Sequence, residues 1–153
     1  MRFMHDVKGE NALPATVVFR LGTLGSIAAD MFAAKIEAIG LKPKHAGLMT
    51  ALQAGVAASQ QELASKLGVA PSLVVTLADH LEGMGAIQRV RDPDDRRRQV
   101  LTLTDHGRKL LDDCAALARE LDAEFTAGLT ASQLNALQRS LAVLAEGVGL
   151  PTG

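Results

Sequence analysis

Three consecutive arginines, Arg96, Arg97 and Arg98, are the residues of this chain best suited to binding an anion. They follow the sequence Asp-Pro-Asp-Asp at 92–95, which predicts a turn because aspartate side chains accept hydrogen bonds from nearby backbone N–H groups and proline fixes φ. Guanidinium groups held at such a turn suit contact with phosphates or insertion into a narrow minor groove of DNA, where the negative potential is enhanced. Alternatively, the arginines and aspartates neutralise one another in a solvated loop.

The segments on either side of this turn predict a β-hairpin. Residues 86–91 and 99–104 are rich in β-branched residues, and Leu101 and Leu103 alternate with threonines, as expected for a half-buried strand. The hairpin would hold the arginines at the end of a stiff projection.

Two short helical patterns precede the hairpin. The run from Ser59 to Glu62 predicts a capping box, in which the Ser59 hydroxyl accepts from the Glu62 N–H and the Glu62 carboxylate accepts from the Ser59 N–H. Gly68 supplies a left-handed stop after about two turns. Pro71 then opens the second helix at the one position where its missing N–H costs nothing.

The second of these helices has an unusual outer face. Its inner side is predicted to hold Val74, Leu77, Ala78 and Leu81, and Gly83 and Gly85 end it. The outer side has no lysine or glutamate, which is odd for a solvated helix and indicates a face that meets a partner. The residues on that side or at its margin are Ser72, Leu73, Val75, Thr76 and His80.

The motifs of this region resemble the MarR (multiple antibiotic resistance regulator) family of winged helix-turn-helix repressors. The specific part is the wing together with the Leu-Thr-x-x-Gly segment after it, since a bare helix-turn-helix is a weak signal. The likeness covers nearly the whole chain, because Leu41-x-Pro43 resembles the family's opening of the preceding helix. The motifs are Gln61-Glu62-Leu63-Ala64, then Ser72 with Leu77-Ala78-Asp79-His80-Leu81-Glu82 and Gly85, then Asp92-Pro93-Asp94-Asp95-Arg96-Arg97, and Leu103-Thr104 with Gly107.

The resemblance implies a mainly α fold with a small β-hairpin. A winged helix-turn-helix unit at 41–107 would be flanked by an N-terminal arm and dimerisation helix at 1–40 and by a connector and C-terminal dimerisation helix at 108–153, as one intertwined domain. It also implies a symmetric dimer, with recognition helices in successive major grooves of double-stranded DNA and wings in the flanking minor grooves. Release by a small-molecule effector or an oxidant is implied by the same resemblance.

The DNA contacts that we predict lie on the helix pair and the hairpin. Gln60 and Gln61 are expected near phosphate, and one of Arg96 and Arg97 has the alternative role of bracing the turn against Asp92 or Asp95. The full predicted set is Gln60, Gln61, Ser72, Leu73, Val75, Thr76, His80, Arg89, Arg96, Arg97 and Arg98.

Two positions depart from the family pattern. Thr76 stands where many members carry arginine, and Ala70 stands where a serine or aspartate usually caps the recognition helix. Ser72 and Thr76 can hydrogen-bond to several bases, but neither offers the bidentate arginine–guanine contact that discriminates best. We therefore expect specificity to depend on the wing arginines and on DNA shape more than on helix contacts.

The charge of the chain is segregated along the sequence. The formal net charge is −1, but residues 86–109 hold seven cations against four anions, and residues 110–153 hold two cations against six anions. Because affinity for DNA depends on local neutralisation of phosphates, a positive wing on a nearly neutral molecule is compatible with salt-sensitive DNA binding.

Long helical patterns flank the central unit. Apolar residues recur from Pro14 to Ile39. A connector helix of about six turns is predicted from the stripe that begins at Leu110, with Thr104 as its N-cap. A second capping box, from Thr130 to Gln133, begins a leucine-rich helix that either packs on residues 14–39 of the same chain or joins a second chain. We predict a homodimer, whose contacts involve Val17, Leu21, Leu134, Leu137, Leu141 and Leu144.

Two further features concern regulation. A ligand pocket between the dimer helices and the DNA-binding unit would be lined by Met31, Phe32, His45, Met49 and Leu52, unless these residues are ordinary core. Cys114 is interpreted as a small buried hydrophobe in preference to a redox switch.

Other classes of function find little support. No catalytic residues, cofactor or metal site is predicted, because there is no glycine-rich phosphate loop and the four histidines lack i,i+3 or i,i+4 companions. A zinc site would require His45, Asp105 and His106 to converge. No apolar run approaches the roughly 20 residues that span a bilayer, and the N-terminus lacks a signal-peptide core, so we expect a cytoplasmic protein with no membrane partner. The single cysteine fits a reducing compartment.

The competing function is a protein-interaction module without DNA binding. In that case Leu73 and Val75 on the outer face would dock a partner protein. The arginine-rich hairpin would then be unexplained.

Overall fold

The computed structural model describes residues 11–55 and 58–152. The first ten residues, which belong to the N-terminal arm and helix predicted at 1–40, lie outside this part of the chain. A short 3-10 helix (Leu13–Ala15) leads into the first long helix, and the predicted mainly α fold with one hairpin is confirmed. The elements are α1 (Val17–Glu37), α2 (Pro43–Ala54), α3 (Gln60–Leu67), α4 (Pro71–Gly83), β1 (Ile87–Arg91), β2 (Gln99–Leu103), α5 (Asp105–Phe125) and α6 (Ala131–Gly147).

The predicted helix ends depend on local hydrogen bonds, and most are confirmed. The Thr104 hydroxyl accepts from the Gly107 N–H at 3.0 Å at the start of α5. Thr130 and Gln133 form both bonds of a capping box, at 3.2 and 3.0 Å, at the start of α6. Gly68 ends α3 with φ of +66°.

The capping box predicted at the start of α3 is wrong in one of its two bonds. The Ser59 hydroxyl accepts from the Glu62 N–H at 3.2 Å, as expected. The Glu62 carboxylate instead forms an ion pair with Arg98, and a charged partner from the hairpin binds a carboxylate more strongly than a backbone amide does.

One apolar core joins the helix-turn-helix to the hairpin and to the first half of α5. The strands pair antiparallel, with Ile87 opposite Leu103 and Val90 opposite Val100. An additional bridge, which the sequence did not indicate, joins Ala58 to Leu101, so that the segment before α3 extends the hairpin. The most deeply buried side chains come from the end of α1, the turn after it, the helices α2 to α4 and the hairpin: Ile36, Leu41, Leu48, Met49, Leu63, Val74, Leu81, Ile87, Val100 and Leu101.

The hairpin is fastened to α5 at Gly107. The Thr104 hydroxyl donates to the Gly85 carbonyl at 2.6 Å, and the Thr104 N–H donates to the Ala86 carbonyl at 3.0 Å. These bonds press the first turn of α5 so close to residue 86 that a Cβ on Gly107 would overlap the Ala86 carbonyl oxygen and lie 2.7 Å from a methyl carbon of Leu103. Only glycine fits at this position.

Helix α1 corrects the expectation that no apolar segment approaches membrane-spanning length. Val17–Glu37 is long and apolar enough to cross a bilayer by length and composition alone. The expectation was wrong because small apolar residues between the charges of Arg20, Asp30 and Lys35 keep the mean hydropathy high. The C-terminal end of α1 nevertheless belongs to the core, since Ile36 is fully buried and Lys35 pairs with Glu120 and Glu124 of α5.

Candidate nucleic-acid interface

The two faces of α4 are divided as the sequence predicts. Val74, Leu77, Ala78 and Leu81 are buried in the core. The opposite face is open, with Ser72, Val75 and Thr76 exposed and Leu73 half-buried. The Thr76 hydroxyl donates to the Ser72 carbonyl at 3.1 Å within the same helix, so it would have to rotate before donating to a base.

His80 lies at the margin of this face and has contacts of its own. Its Nε2 is 2.9 Å from the Gly40 carbonyl oxygen, and its ring stacks on His45 with centroids 4.4 Å apart. His45 is buried, and its Nδ1 accepts from the Lys42 N–H at 2.9 Å. Burial lowers the pKa of His45, and the neighbouring His80 and Lys42 charges lower it further. His80 therefore ties α4 to the turn before α2.

The tip of the hairpin is built as an aspartate-stabilised turn. Asp92 Oδ1 accepts from the Asp94 N–H at 2.9 Å, and Asp95 Oδ1 accepts from the Arg97 N–H at 3.1 Å. Arg96 and Arg97 are exposed and form no ion pair within the described part of the chain. The alternative in which the loop neutralises its own arginines therefore does not hold for Arg96 and Arg97.

Arg98 differs from the two arginines before it. Its guanidinium pairs with Glu62 of α3, and its Nε lies 3.6 Å from Asp92 Oδ2. The brace that we predicted for Arg96 or Arg97 is thus made by Arg98. This contact sets the angle of the hairpin relative to the helix-turn-helix.

Arg89 is also placed in an internal contact. Its guanidinium lies 2.7 Å from Asp79 Oδ1 and 2.8 Å from Glu82 Oε1, and its side chain is 19% exposed. The hydrogen bond to Asp79 is the main reason why the pKa of Arg89 is raised. The pairing of Arg89 with these two acids was not predicted from the sequence. The signal that could have indicated it is the i,i+3 spacing of Asp79 and Glu82 on α4. Together the three residues clamp β1 to α4.

Gln60 and Gln61 open α3 beside the hairpin. Gln61 is exposed, whereas Gln60 is half-buried and its Oε1 has no hydrogen-bond partner among the described residues. The exposed glutamine is therefore the better placed of the two for an external contact.

The five predicted ligand-binding residues do not surround one cavity. Met31 and Phe32 line a cavity of about 190 Å³ between α1 and α5, and Phe32 also lines one of about 400 Å³ between α1, α2 and α5. Met49 and Leu52 point into the core, and His45 faces α4. The apolar pattern of α2 could not distinguish its core side from its cavity side, where Ala46 and Gly47 leave the space.

Cys114 borders the larger of these cavities. Its side chain is buried, and burial raises the pKa of its thiol. Because the thiolate is the reactive form, this environment fits the interpretation of a small hydrophobe.

The predicted dimerisation residues are apolar side chains that the single chain leaves uncovered. In α6 no residue is buried, and the main packing partner of α1 is α5. Leu134 is half-buried. The others are exposed: Val17, Leu21, Leu137, Leu141 and Leu144.

The zinc alternative is not supported by the geometry. No group of three or more histidine, cysteine, aspartate or glutamate side chains within 11–55 and 58–152 is arranged to hold a metal ion.

Three helices and a hairpin in this order, with an open second helix beside an arginine-tipped wing, define a winged helix-turn-helix protein. A model of the MarR family matches residues 43–98. The chain is 29% identical over 127 residues to the HTH-type transcriptional repressor Rv2887 of Mycobacterium tuberculosis, covering 83% of this chain and 91% of that protein. The segment from 43 to 98 therefore resembles the MarR family, and the chain as a whole is similar to a transcriptional repressor.

Two solved structures of another regulator are similar in fold. The transcriptional repressor CouR bound to a 23-mer DNA duplex has a TM-score of 0.70 and 29% identity, covering 90% of this chain and 97% of CouR. CouR from Rhodococcus jostii RHA1 bound to p-coumaroyl-CoA has a TM-score of 0.68 and 26% identity, covering 88% and 95%.

Proposed function

We propose that the protein is a homodimeric, ligand-responsive transcriptional repressor that binds a pseudo-palindromic operator. Recognition helices α4 would enter successive major grooves, and Arg96 and Arg97 would enter the flanking minor grooves. The observation that carries the proposal is the open face of α4, which lies beside a hairpin whose two tip arginines have no internal partner among the described residues. The similarity to CouR, which has been solved on DNA, supports the same conclusion.

Within this proposal, the predicted contact residues have different roles. Ser72, Val75 and Thr76 would face the bases, with Leu73 at the edge and Gln61 near phosphate. Arg89 and Arg98 would act indirectly, because their guanidinium groups hold the helix and the wing in position through carboxylates. Specificity would depend on Arg96 and Arg97 more than on Thr76. If Arg96→Ala left operator preference unchanged while Thr76→Ala abolished it, this order of importance would be wrong.

The dimer of the proposal is formed by α1 and α6. Both helices expose a row of large apolar side chains to water. Exposed apolar surface of this kind indicates a protein–protein interface. Two linked copies also gain affinity for two half-sites through effective concentration. The chain would act in the cytoplasm, where its DNA lies, and its role would be regulatory, as in its repressor relatives.

The effector site of the proposal is the pair of cavities that share Phe32 and Ala118, between α1, α2 and α5. A ligand there would touch α1, which is one of the two dimer helices, and α5, which connects to the wing. It would change the spacing of the two recognition helices, so that both half-sites could no longer be met at once. The p-coumaroyl-CoA complex of CouR supports ligand control in a protein of this fold.

A gel-shift titration on the DNA upstream of the protein's own coding sequence, repeated over a salt series, tests the proposal. The proposal predicts a shift on one palindromic duplex that weakens steeply as salt rises. The competing module, in which Leu73 and Val75 dock a protein, predicts no shift even at low salt.

A further inference from the structure

A groove runs along the side of the recognition helix that faces α2. It has a volume of about 780 Å³. Leu73 and Thr76 line it from α4, and Lys42 and Lys44 line it from the turn that leads into α2. The groove is therefore continuous with the open face of α4, and two lysines that were not predicted as DNA contacts from the sequence stand on its opposite wall.

The charge of this wall is mainly positive. Lys42 and Lys44 are exposed, and neither forms an ion pair within residues 11–55 and 58–152. The first turn of α2, which begins at Pro43, adds the partial positive charge of a helix N-terminus. Glu37 also lines the groove and opposes the lysines.

The position of this wall relative to α4 is fixed by the two histidines at the base of the groove. The His80 ring stacks on His45 and bonds to the Gly40 carbonyl, while His45 Nδ1 accepts from the backbone of Lys42 itself. The backbone that carries the lysines is thus held in register with the recognition helix. A DNA duplex that receives α4 meets this wall in one defined orientation.

The dimensions of DNA indicate which part of a duplex would lie in the groove beside α4. The major groove is about 12 Å wide, and a helix with its side chains is about 10–12 Å across, so a helix in that groove leaves room for little else. Any part of the protein that stands directly beside the helix therefore faces a phosphate backbone.

We infer that Lys42 and Lys44 bind phosphates of the DNA backbone that borders the major groove occupied by α4. The inference rests on the proposed DNA-binding function. Contacts of this kind fix the register of the protein on the duplex without reading its sequence. They also supply positive charge that the helix face itself lacks, since Ser72, Leu73, Val75 and Thr76 are all uncharged.

The salt dependence of binding measures such contacts directly. Each lysine–phosphate contact contributes about 0.9 to the slope of log K against log salt concentration. Because a symmetric dimer carries each lysine twice, the double variant Lys42→Gln/Lys44→Gln should lower the slope by about 3.6. Its affinity should fall for the operator and for an unrelated duplex alike. Glu37→Gln, which removes the opposing carboxylate, should strengthen binding to both.

The control is Arg139→Gln, which removes a cation from the exposed surface of α6 and should leave the slope as in the wild type. Thermal unfolding followed by circular dichroism confirms that each variant is folded. The inference is overturned if the lysine double variant and the Arg139 variant have the same slope, or if the lysine variant weakens operator binding without any change in slope. Failure of the proposed function looks different, because the wild-type protein itself would then bind no duplex at low salt.

Discussion

Two regions of the molecule differ in how far their apolar side chains are buried. One is the unit formed by α2 to α5, and the other consists of the exposed parts of α1 and α6. The unit buries most of its leucines in one core and fixes its surface elements through charged pairs, such as Arg89 with Asp79 and Arg98 with Glu62. Helix α6 has no buried residue, and Val17 of α1 is 67% exposed. The first region is complete in one chain, whereas the second needs another surface to cover it.

This difference separates two kinds of stability. Substitutions in the unit should change the free energy of unfolding whatever the protein concentration. Substitutions on α1 or α6 should act through association, so their effect should depend on concentration.

The largest effect is expected at the junction between the hairpin and α5. Gly107→Ala should cost about 3 kcal/mol of unfolding free energy or more, because the added Cβ overlaps the Ala86 carbonyl and the backbone must move. Urea unfolding measures the loss. The matched control is Gly47→Ala, which adds a methyl group where nothing lies within 4 Å and should be neutral or stabilising by up to about 1 kcal/mol. Equal stabilities for the two variants would contradict this account of the junction.

The second-largest effect is expected on dimerisation, from a substitution in the exposed apolar row of α6. Leu141→Asp should dissociate the dimer, because it places a charge in the apolar row of α6 that includes Leu137 and Leu144. Sedimentation velocity measures the change in mass. Val143→Asp is the control, since Val143 is 69% exposed and lies away from that row by helical spacing. If both variants remain dimers, α6 is not the interface.

A smaller effect is expected from the clamp between β1 and α4. Arg89→Met should cost about 1 kcal/mol of unfolding free energy, because the arginine is mostly buried but its partners Asp79 and Glu82 are largely exposed and screened. Operator affinity should fall as well, since α4 and the wing lose a shared anchor. Arg91→Met, at an exposed position of the same strand, provides the comparison in the same urea titration. A larger loss for Arg91 would show that the clamp does not stabilise the unit.

The smallest effect is a pH dependence centred on His45. Its pKa is lowered in the folded state, so below the ordinary value of 6.5 the unfolded chain binds more protons than the folded one. Stability should therefore fall as the pH drops through 6.5 towards the folded pKa, and be unaffected by His45 above that range. His45→Gln should remove this part of the pH dependence, because glutamine can still accept from the Lys42 N–H but does not titrate. His106→Gln, at an exposed site on α5, should leave it unchanged.

The sequence predicted what depends on neighbouring residues along the chain. The stop at Gly68, the caps at Thr104 and Thr130, and the inner face of α4 result from local hydrogen bonding and helical period. The turn at the wing tip results in the same way from its aspartates.

The features that the sequence could not predict depend on how distant elements meet. From the sequence, Arg89 and Arg98 were predicted to contact DNA in the same way as Arg96 and Arg97. In the structure, α3 and α4 approach the hairpin and supply carboxylates that bind Arg98 and Arg89. Gly107 was recognised as part of a motif. The reason why this position requires glycine is visible only in the structure, where α5 packs against the backbone of residue 86. The ligand-binding set failed to converge because apolar periodicity does not show which side of α2 is covered.

The mass of the protein–DNA complex tests the central claim most directly. Sedimentation velocity of the full chain with its palindromic upstream duplex in low salt should give one species that contains two protein chains and one duplex. Single chains that sediment apart from the DNA under the same conditions would contradict the account.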